Sequence, residues 1–178
     1  MARSVSSPHA GFTLVEVLVA TVIFSIGLLG WAGLQLAALA GSRSAELRSI
    51  AMLQAQSLAD HMRANMSAVN DGDYAVGVQK EWGCRAVYFD HVADPETCTP
   101  SQLAQDDLLD WSIANQRLLP GGEGLVCRDS GANPGDRAPT ASGCDDLPES
   151  PYVVIIWWKD PVPRGDARLR YTELRFQP

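Results

Sequence analysis

The stretch GFTLVEVLVATVIF, residues 11–24, decides the fold because it opens a long apolar segment that contains a single carboxylate. From Phe12 to Leu34 the only polar side chains are Thr13, Glu16, Thr21 and Ser25. An apolar segment of this length predicts a helix that spans a membrane. A carboxylate near the middle of a bilayer costs about 2.5–3.5 kcal/mol even on lenient insertion scales, so membrane anchoring alone does not explain Glu16.

Two ordinary N-terminal signals account for only part of this pattern. A cleaved secretory signal would use the small-x-small site at residues 38–40 and leave Gly41 as the first residue. The apolar core of such a signal is usually only about 7–15 residues long, and this one is far longer. A plain signal anchor explains the length of the segment and leaves Glu16 unexplained.

A third interpretation accounts for both the length and the carboxylate. A short polar leader, MARSVSSPHAG, ends in Gly11, and the apolar segment that follows carries a carboxylate at its fifth position. In this respect Gly11, Phe12, Thr13, Leu14 and Glu16 resemble the leader of type IV prepilins. The resemblance implies that prepilin peptidase cleaves between Gly11 and Phe12 and that the new amino terminus at Phe12 is N-methylated. The apolar helix then remains on the mature protein.

The same resemblance gives Glu16 a role as an assembly register. In a bundle of stacked helices it implies that Glu16 lies beside the Phe12 ammonium of a neighbouring subunit. Two opposite charges neutralise each other in a medium of low dielectric constant, where either charge alone is strongly disfavoured. A second interpretation stays open, in which Glu16 is a polar residue tolerated near the membrane interface.

Composition and charge limit the functions open to the rest of the chain. The 178 residues carry a formal net charge of −7, which does not suit a nucleic-acid partner. The sequence has no G-x-S-x-G motif, Gly-rich phosphate loop or plausible Cys–His pair, so we expect no enzymatic activity and no cofactor. Residues 1–11 are the predicted leader and 12–41 the membrane and filament-core half of the helix. Residues 42–178 are the predicted periplasmic head, long enough for one domain.

Positive residues do not settle the orientation in the membrane. Arg3 precedes the apolar segment, whereas Arg43 and Arg48 follow it, which slightly favours the opposite orientation by count alone. This rule weakens when a long domain is translocated, and the leader and the cysteines favour a periplasmic head.

The four cysteines, Cys84, Cys98, Cys127 and Cys144, all follow the apolar segment. An even number of cysteines in a small, loop-rich region behind a membrane signal indicates disulfides in an oxidising compartment. We predict Cys84–Cys98 and Cys127–Cys144, the pairing with the shortest loops, among three connectivities. Zinc is the alternative, but ligand spacing is missing, and residues 70–73 have only a faint likeness to a calcium loop. We therefore expect no metal.

Periodicity and capping signals predict two helices. The first continues beyond the membrane as an amphipathic helix, with apolar positions at Leu47, Ile50, Ala51, Leu58, Met62 and Met66. The second begins after an N-cap at Thr99, with Pro100 in its first position and Gln102 completing a capping box. Its predicted apolar side consists of Leu103, Leu108, Trp111 and Leu118, and residues 120–122 end it. Asp106, Asp107 and Asp110 are expected on a solvated face.

The remaining sequence predicts strands around a loop. Residues 84–89 have the pattern of a short strand, and residues 129–151 have the composition of a loop. Tyr152–Trp158 (YVVIIWW) is apolar on both faces and predicts a central strand, with Trp157 and Trp158 in the core. Arg168–Phe176 has mixed faces and predicts a strand nearer the edge.

Two further segments resemble minor pilins of the PilV type, namely LADHMRAN (58–65) and the run from CTPSQLAQDDLLDW to LLPGGEGLVC (98–127). A weaker resemblance continues through the C-terminal strands. The resemblance implies an α+β, type IV pilin-like fold: a long N-terminal helix packed on a small antiparallel sheet, with an extra helix. It also implies a minor pilin that takes part in type IV pilus assembly in a tip or priming complex. Its partners would be other minor pilins, the major pilin, prepilin peptidase, the inner-membrane assembly platform and a tip adhesin.

The implied location is the inner membrane, with the head in the periplasm, before assembly and the pilus on the cell surface afterwards. One alternative is a pseudopilin of type II secretion, whose leader looks alike. Another, of a different class, is a membrane-anchored periplasmic binding module or enzyme that never assembles.

Overall fold

A computed structural model describes residues 12–79, 83–84, 98–131, 137–161 and 166–177. Its elements in chain order are α1 (Leu14–Ala64), α2 (Met66–Asp71), α3 (Pro100–Leu118), β1 (Glu123–Arg128), β2 (Tyr152–Asp160) and β3 (Arg168–Phe176). The chain divides into two compact units, with the boundary between Ser42 and Arg43. The first is an apolar helical segment and the second contains the sheet and the hydrophobic core.

The first unit is the apolar half of α1. Thr13 starts this helix, because its carbonyl oxygen accepts from the backbone N–H groups of Glu16 at 3.1 Å and Val17 at 3.3 Å. The large apolar side chains that follow are exposed along the whole segment. Within the described residues, α1 is the one helix long and apolar enough to cross a membrane.

In the second unit α1 buries one narrow stripe, formed by Leu47, Ala51, Ala55, Leu58, Ala59 and Met62. These residues share a core with one face of the sheet and with α3. Met66, expected at the end of this stripe, lies instead at the start of α2 and is exposed. The reason is a break at Asn65, which leaves helical geometry and donates its side-chain amide to the carbonyl of Pro100 at 2.7 Å.

The described strands form an antiparallel sheet in the order β1-β2-β3. Val154 of β2 pairs with Val126 on one side and Leu174 on the other. The even-numbered side chains of β2, including Trp158, face α1 and α3, whereas Val153, Ile155 and Trp157 form a second cluster on the outer face. The predicted central strand is confirmed and extends to Asp160, and β3 is the predicted edge strand of the described sheet.

Helix α3 begins as predicted. Thr99 accepts from the Gln102 backbone while the Gln102 side chain accepts from the Thr99 backbone, which completes the capping box. At the other end Leu119, not Leu118, is buried. Leu119 is the C-cap and adopts an extended conformation, so its side chain no longer follows the helical periodicity.

Two disulfides, Cys84–Cys98 and Cys127–Cys144, join segments of the second unit. The second of them packs against the outer cluster of the sheet. The strand expected at residues 84–89 lies almost entirely outside the described residues. The α+β fold class, a long helix on a small antiparallel sheet with an extra helix, is confirmed.

Candidate assembly site

The structure places Glu16 in the first turn of α1, three residues after Thr13. Thr13 Oγ1 accepts from the backbone N–H of Glu16 at 3.3 Å, which is one half of a capping box. A carboxylate in a first turn also interacts favourably with the helix dipole. Glu16 therefore helps to start the helix, a role that the spacing Thr13-Leu14-Val15-Glu16 signals and that the sequence interpretation above does not include.

Glu16 lies on one side of α1 among apolar side chains. A shallow groove along this side is lined by Phe12, Glu16, Val17, Ala20, Thr21 and Phe24. The Thr21 hydroxyl donates to the carbonyl of Leu18 at 2.8 Å, so this polar group is satisfied within the helix. Glu16 is the only ionisable side chain between Phe12 and Ser42. The surface is thus an apolar helix face with one charge near its beginning.

The predicted processing residues lie at the edge of the described chain. Gly11 is outside the described residues, and Phe12 is the first residue that the structure describes. The Phe12 side chain is 84 % exposed, so the groove beside Glu16 has one side open to a neighbour. A cationic amino terminus brought to this groove by another subunit would meet a carboxylate inside an apolar surface, the pairing that low dielectric favours.

The expectation of a solvated acidic face on α3 is wrong for two of its three residues. Asp107 is only 3 % exposed; its Oδ1 lies 3.0 Å from Nδ1 of His61, and its Oδ2 accepts from the Tyr74 hydroxyl at 2.7 Å. Asp106 is also buried and accepts from the backbone N–H of Cys84. These carboxylates link α3 to α1 and to the segment that leads into the first disulfide, so their role is structural.

A second polar network lies on the outer face of the sheet, where the sequence analysis expected only a loop. Arg137, 2 % exposed, places Nη2 at 2.5 Å from Asp129 Oδ2 and Nε at 3.0 Å from Glu173 Oε2. Arg175 of β3 reaches the same Asp129 oxygen at 3.0 Å. The loop between Cys127 and Cys144 is therefore tied to β3 by charge, and the disulfide ties it to β1.

The environment of Asp129 lowers the pKa of its carboxyl group. Burial alone would raise this pKa, but hydrogen bonds from Arg137 and from the backbone of Gly131, with the charges of Arg137 and Arg175, outweigh it. The residues of this network are distant from one another in sequence, and no short motif predicts their interaction. Among the described residues, no group of three or more His, Cys, Asp or Glu side chains is arranged to hold a metal ion.

Comparisons with known families agree with this geometry. A family model described as Prokaryotic N-terminal methylation motif matches residues 6–32, so the chain is similar to the class of proteins that carry this motif. A second model, described as Type IV pilin Tt1218, matches residues 33–109. Over these two adjacent segments the chain is similar to a type IV pilin. No curated protein and no solved structure matches it.

The similarity to type IV pilins implies several general properties. Type IV pilins are structural subunits, they are processed by prepilin peptidase, and they assemble with other pilins. The leader motif and the exposed apolar half of α1 fit membrane anchoring followed by assembly.

Proposed function

We propose that this chain is a minor pilin of the PilV type that takes part in type IV pilus assembly, in the complex that primes or tips the filament. In this role prepilin peptidase cleaves between Gly11 and Phe12, Phe12 is N-methylated, and Glu16 sets the register with the Phe12 ammonium of a neighbouring subunit. The observation that carries the proposal is the position of Glu16, which lies in the first turn of α1 and is the one charged side chain of its exposed apolar half.

Contacts within the globular unit support the minor-pilin part of the proposal. The two segments that resemble PilV-type pilins, residues 58–65 and 98–127, contact each other. Asn65 donates to the Pro100 carbonyl at 2.7 Å, and His61 contacts Asp107 at 3.0 Å. Part of the resemblance thus falls on one connected structural feature, the seam between α1 and α3.

The partners of this proposal are other minor pilins, the major pilin, prepilin peptidase, the inner-membrane assembly platform and a tip adhesin. The globular unit occupies the periplasm before assembly and the pilus after it. Two disulfides in this unit support an oxidising location. No part of the proposed role requires a cofactor or a metal.

Deletion of the gene separates this proposal from its alternatives. We expect fewer surface pili, counted by electron microscopy, with normal type II secretion of proteins into the medium and restoration of pili by the wild-type gene. A secretion defect with normal pili would favour the pseudopilin. Normal pili and normal secretion would favour the anchored module or enzyme and contradict the proposed function.

A further inference from the structure

Basic side chains gather at the end of the globular unit where the chain enters it. Arg43 and Arg48 lie on the first turns of α1 in this unit, and Lys159, Arg168 and Arg170 lie where β2 ends and β3 begins. These five residues are called the basal cluster below. All of them are exposed.

Direct contacts bring the two parts of the basal cluster together. The Ser44 hydroxyl donates to Asp160 Oδ2 at 2.7 Å, so the end of β2 lies beside the residue that follows Arg43. Arg170 Nε lies 3.7 Å from the same Asp160 oxygen, and Arg168 pairs with Asp160 in the sheet. The cluster therefore surrounds the first turn of the globular unit.

The chain itself sets the distance between this cluster and a membrane. Residues 12–41 form an apolar segment whose helix, at about 1.5 Å per residue, is about 45 Å long. A bilayer with its headgroup layers is about 40–45 Å thick. A helix that begins at one surface therefore brings Arg43, two residues after Gly41, to the headgroup level of the other surface.

The charges of the globular unit are polarised along its length. Near the basal cluster the exposed carboxylates are Glu46, Glu123 and Asp166, while Asp160 is buried against Ser44 and Arg170. Tyr152, at the other end of β2, donates to the carbonyl of Val69 at 2.6 Å. Around that opposite end the acidic side chains are Asp71, Asp73, Asp145, Asp146 and Glu149, and the basic ones are Arg63 and Arg128. An anionic surface would attract the basal end of this acidic chain and repel the far end.

Exposed apolar side chains alternate with the basic ones in β3. Leu169 lies between Arg168 and Arg170 and is 51 % exposed, and Tyr171 is similarly exposed. Tyrosine is enriched at membrane interfaces, and arginine and lysine place their charge among headgroups while their stems contact apolar groups. Because successive side chains of a strand point to opposite faces, Leu169 and Tyr171 share the outer face with Lys159, whereas Arg168 and Arg170 lie on the face toward α1. Each face of this end of the sheet therefore has a basic side chain, and the outer face also has the apolar ones.

We propose that the basal cluster binds anionic phospholipid headgroups and holds the globular unit against the membrane. The proposal depends on insertion of the apolar segment, not on the filament role. It also gives a function to Arg43 and Arg48. By the positive-inside count, these two arginines slightly favour the opposite orientation of the helix in the membrane. Each basic residue near an anionic surface contributes separately, so the binding is additive and salt-dependent.

Photocrosslinking in vesicles tests this proposal with the full-length protein. We would place p-benzoylphenylalanine at Leu169 or, as a matched control, at Val76. Val76 is 55 % exposed and lies three residues before Gln79, whose backbone N–H donates to the Gln105 side chain. The vesicles contain phosphatidylcholine with about a third radiolabelled phosphatidylglycerol. We expect at least about fivefold more labelled adduct from position 169 than from position 76.

A charge dependence is expected as well. At 0.5 M NaCl, and in the triple variant Arg43→Gln/Lys159→Gln/Arg168→Gln, labelling at position 169 should fall to the level of position 76. Arg63→Gln, an exposed arginine outside the cluster, should leave it unchanged. Equal labelling of the two positions at low salt would overturn the proposal. The proposal would also be overturned if labelling at position 169 did not change with salt or in the triple variant. Equally strong labelling at this position by radiolabelled phosphatidylcholine would overturn it too.

Discussion

Glu16 has two physical roles that a substitution can separate. In a single chain it occupies the first turn of α1, where its backbone N–H donates to Thr13 Oγ1 and its charge suits the helix dipole. In the proposed filament the same carboxylate neutralises an amino terminus in an apolar bundle. The backbone hydrogen bond of the first role does not require the negative charge, whereas neutralisation of an amino terminus does.

The first prediction concerns Glu16→Leu. This change removes a costly carboxylate, so the protein should accumulate normally in the inner membrane. It also leaves the Phe12 ammonium of a neighbour unpaired in the bundle, so the variant should fall at least about tenfold in sheared surface filaments. Immunoblots of the two fractions measure the ratio.

Glu16→Gln is the matched control, because it keeps the shape of the side chain and loses only the charge. We expect it to be as defective as Glu16→Leu. Near-normal incorporation of the glutamine variant into filaments would show that Glu16 acts only in starting the helix. Normal incorporation of the leucine variant would contradict the register role.

The second prediction concerns Asp129. Its pKa is lowered in the folded protein, so its contribution to stability is complete above the ordinary value of 3.8 and is lost as pH falls through the lower folded value. Asp129→Asn breaks a buried ion pair and should cost about 3–5 kcal/mol at pH 7. Urea unfolding should show this difference shrinking below about pH 4, whereas the exposed Glu149→Gln should show no such trend. If the difference in unfolding free energy between the wild type and Asp129→Asn were constant with pH, the lowered pKa of Asp129 would be contradicted.

At the scale of elements, α1 and α3 are held together by polar as well as apolar contacts. Trp111 donates its indole N–H to the carbonyl of Gln54 at 3.0 Å, near the middle of the seam. His61 and Asn65 contact the N-terminal half of α3. Buried polar groups with several partners favour one relative position of two helices, since a shifted arrangement would lose these bonds.

The third prediction tests this seam. Asp107→Ala removes the acceptor of the buried Tyr74 hydroxyl and the partner of the partly exposed His61, and should lower the free energy of unfolding by about 2–3 kcal/mol. Asp60→Ala removes a carboxylate from an exposed pair with Arg63 and should change it by no more than about 0.5 kcal/mol. Chemical denaturation of the two variants compares them. Equal changes in the free energy of unfolding would show that the buried network contributes no more to stability than the exposed ion pair.

The fourth prediction tests the second disulfide. Cys127→Ser/Cys144→Ser opens a loop with a sequence separation of 17 residues and should cost about 3 kcal/mol on the chain-entropy model. Non-reducing peptide mapping of the wild type should recover the pairs Cys84–Cys98 and Cys127–Cys144. A different pairing, four free thiols or bound zinc would contradict this arrangement.

Features with a local signal could be predicted, and features that depend on distant partners could not. The capping box at Thr99 and the doubly apolar strand ending in Trp157 and Trp158 are encoded within a few residues. β1 was not predicted because glycine is unfavourable in strands. A Cβ at Gly124 would lie 2.2 Å from the ring of Trp111, so close packing of α3 requires the glycine there.

The candidate site shows the same limit. Glu16 stands out because its neighbours in sequence are apolar, and Thr13 three residues earlier gives a local capping signal. The burial of Asp107 depends on His61 and Tyr74, which lie 46 and 33 residues away, and periodicity within one helix carries no information about them. The charged network around Arg137 is likewise assembled from a loop and β3.

At the scale of the whole molecule, two compact units have different physical tasks. The first exposes a continuous apolar surface with one charge, which a membrane can cover first and other helices later. The second has its own core and both disulfides, so it does not need the first for its hydrophobic burial. This division lets one chain serve as a membrane protein and then as a filament subunit.

The measurement that tests the central claim most directly is the mass of the N-terminal peptide of this chain in sheared surface filaments. We expect the protein in that fraction to begin at Phe12, without residues 1–11, and to carry one added methyl group. Both the processing and the assembly are then observed on the same molecules. A chain that is absent from filaments while remaining in the membrane, or one that begins at Met1 or Gly41, would contradict the account.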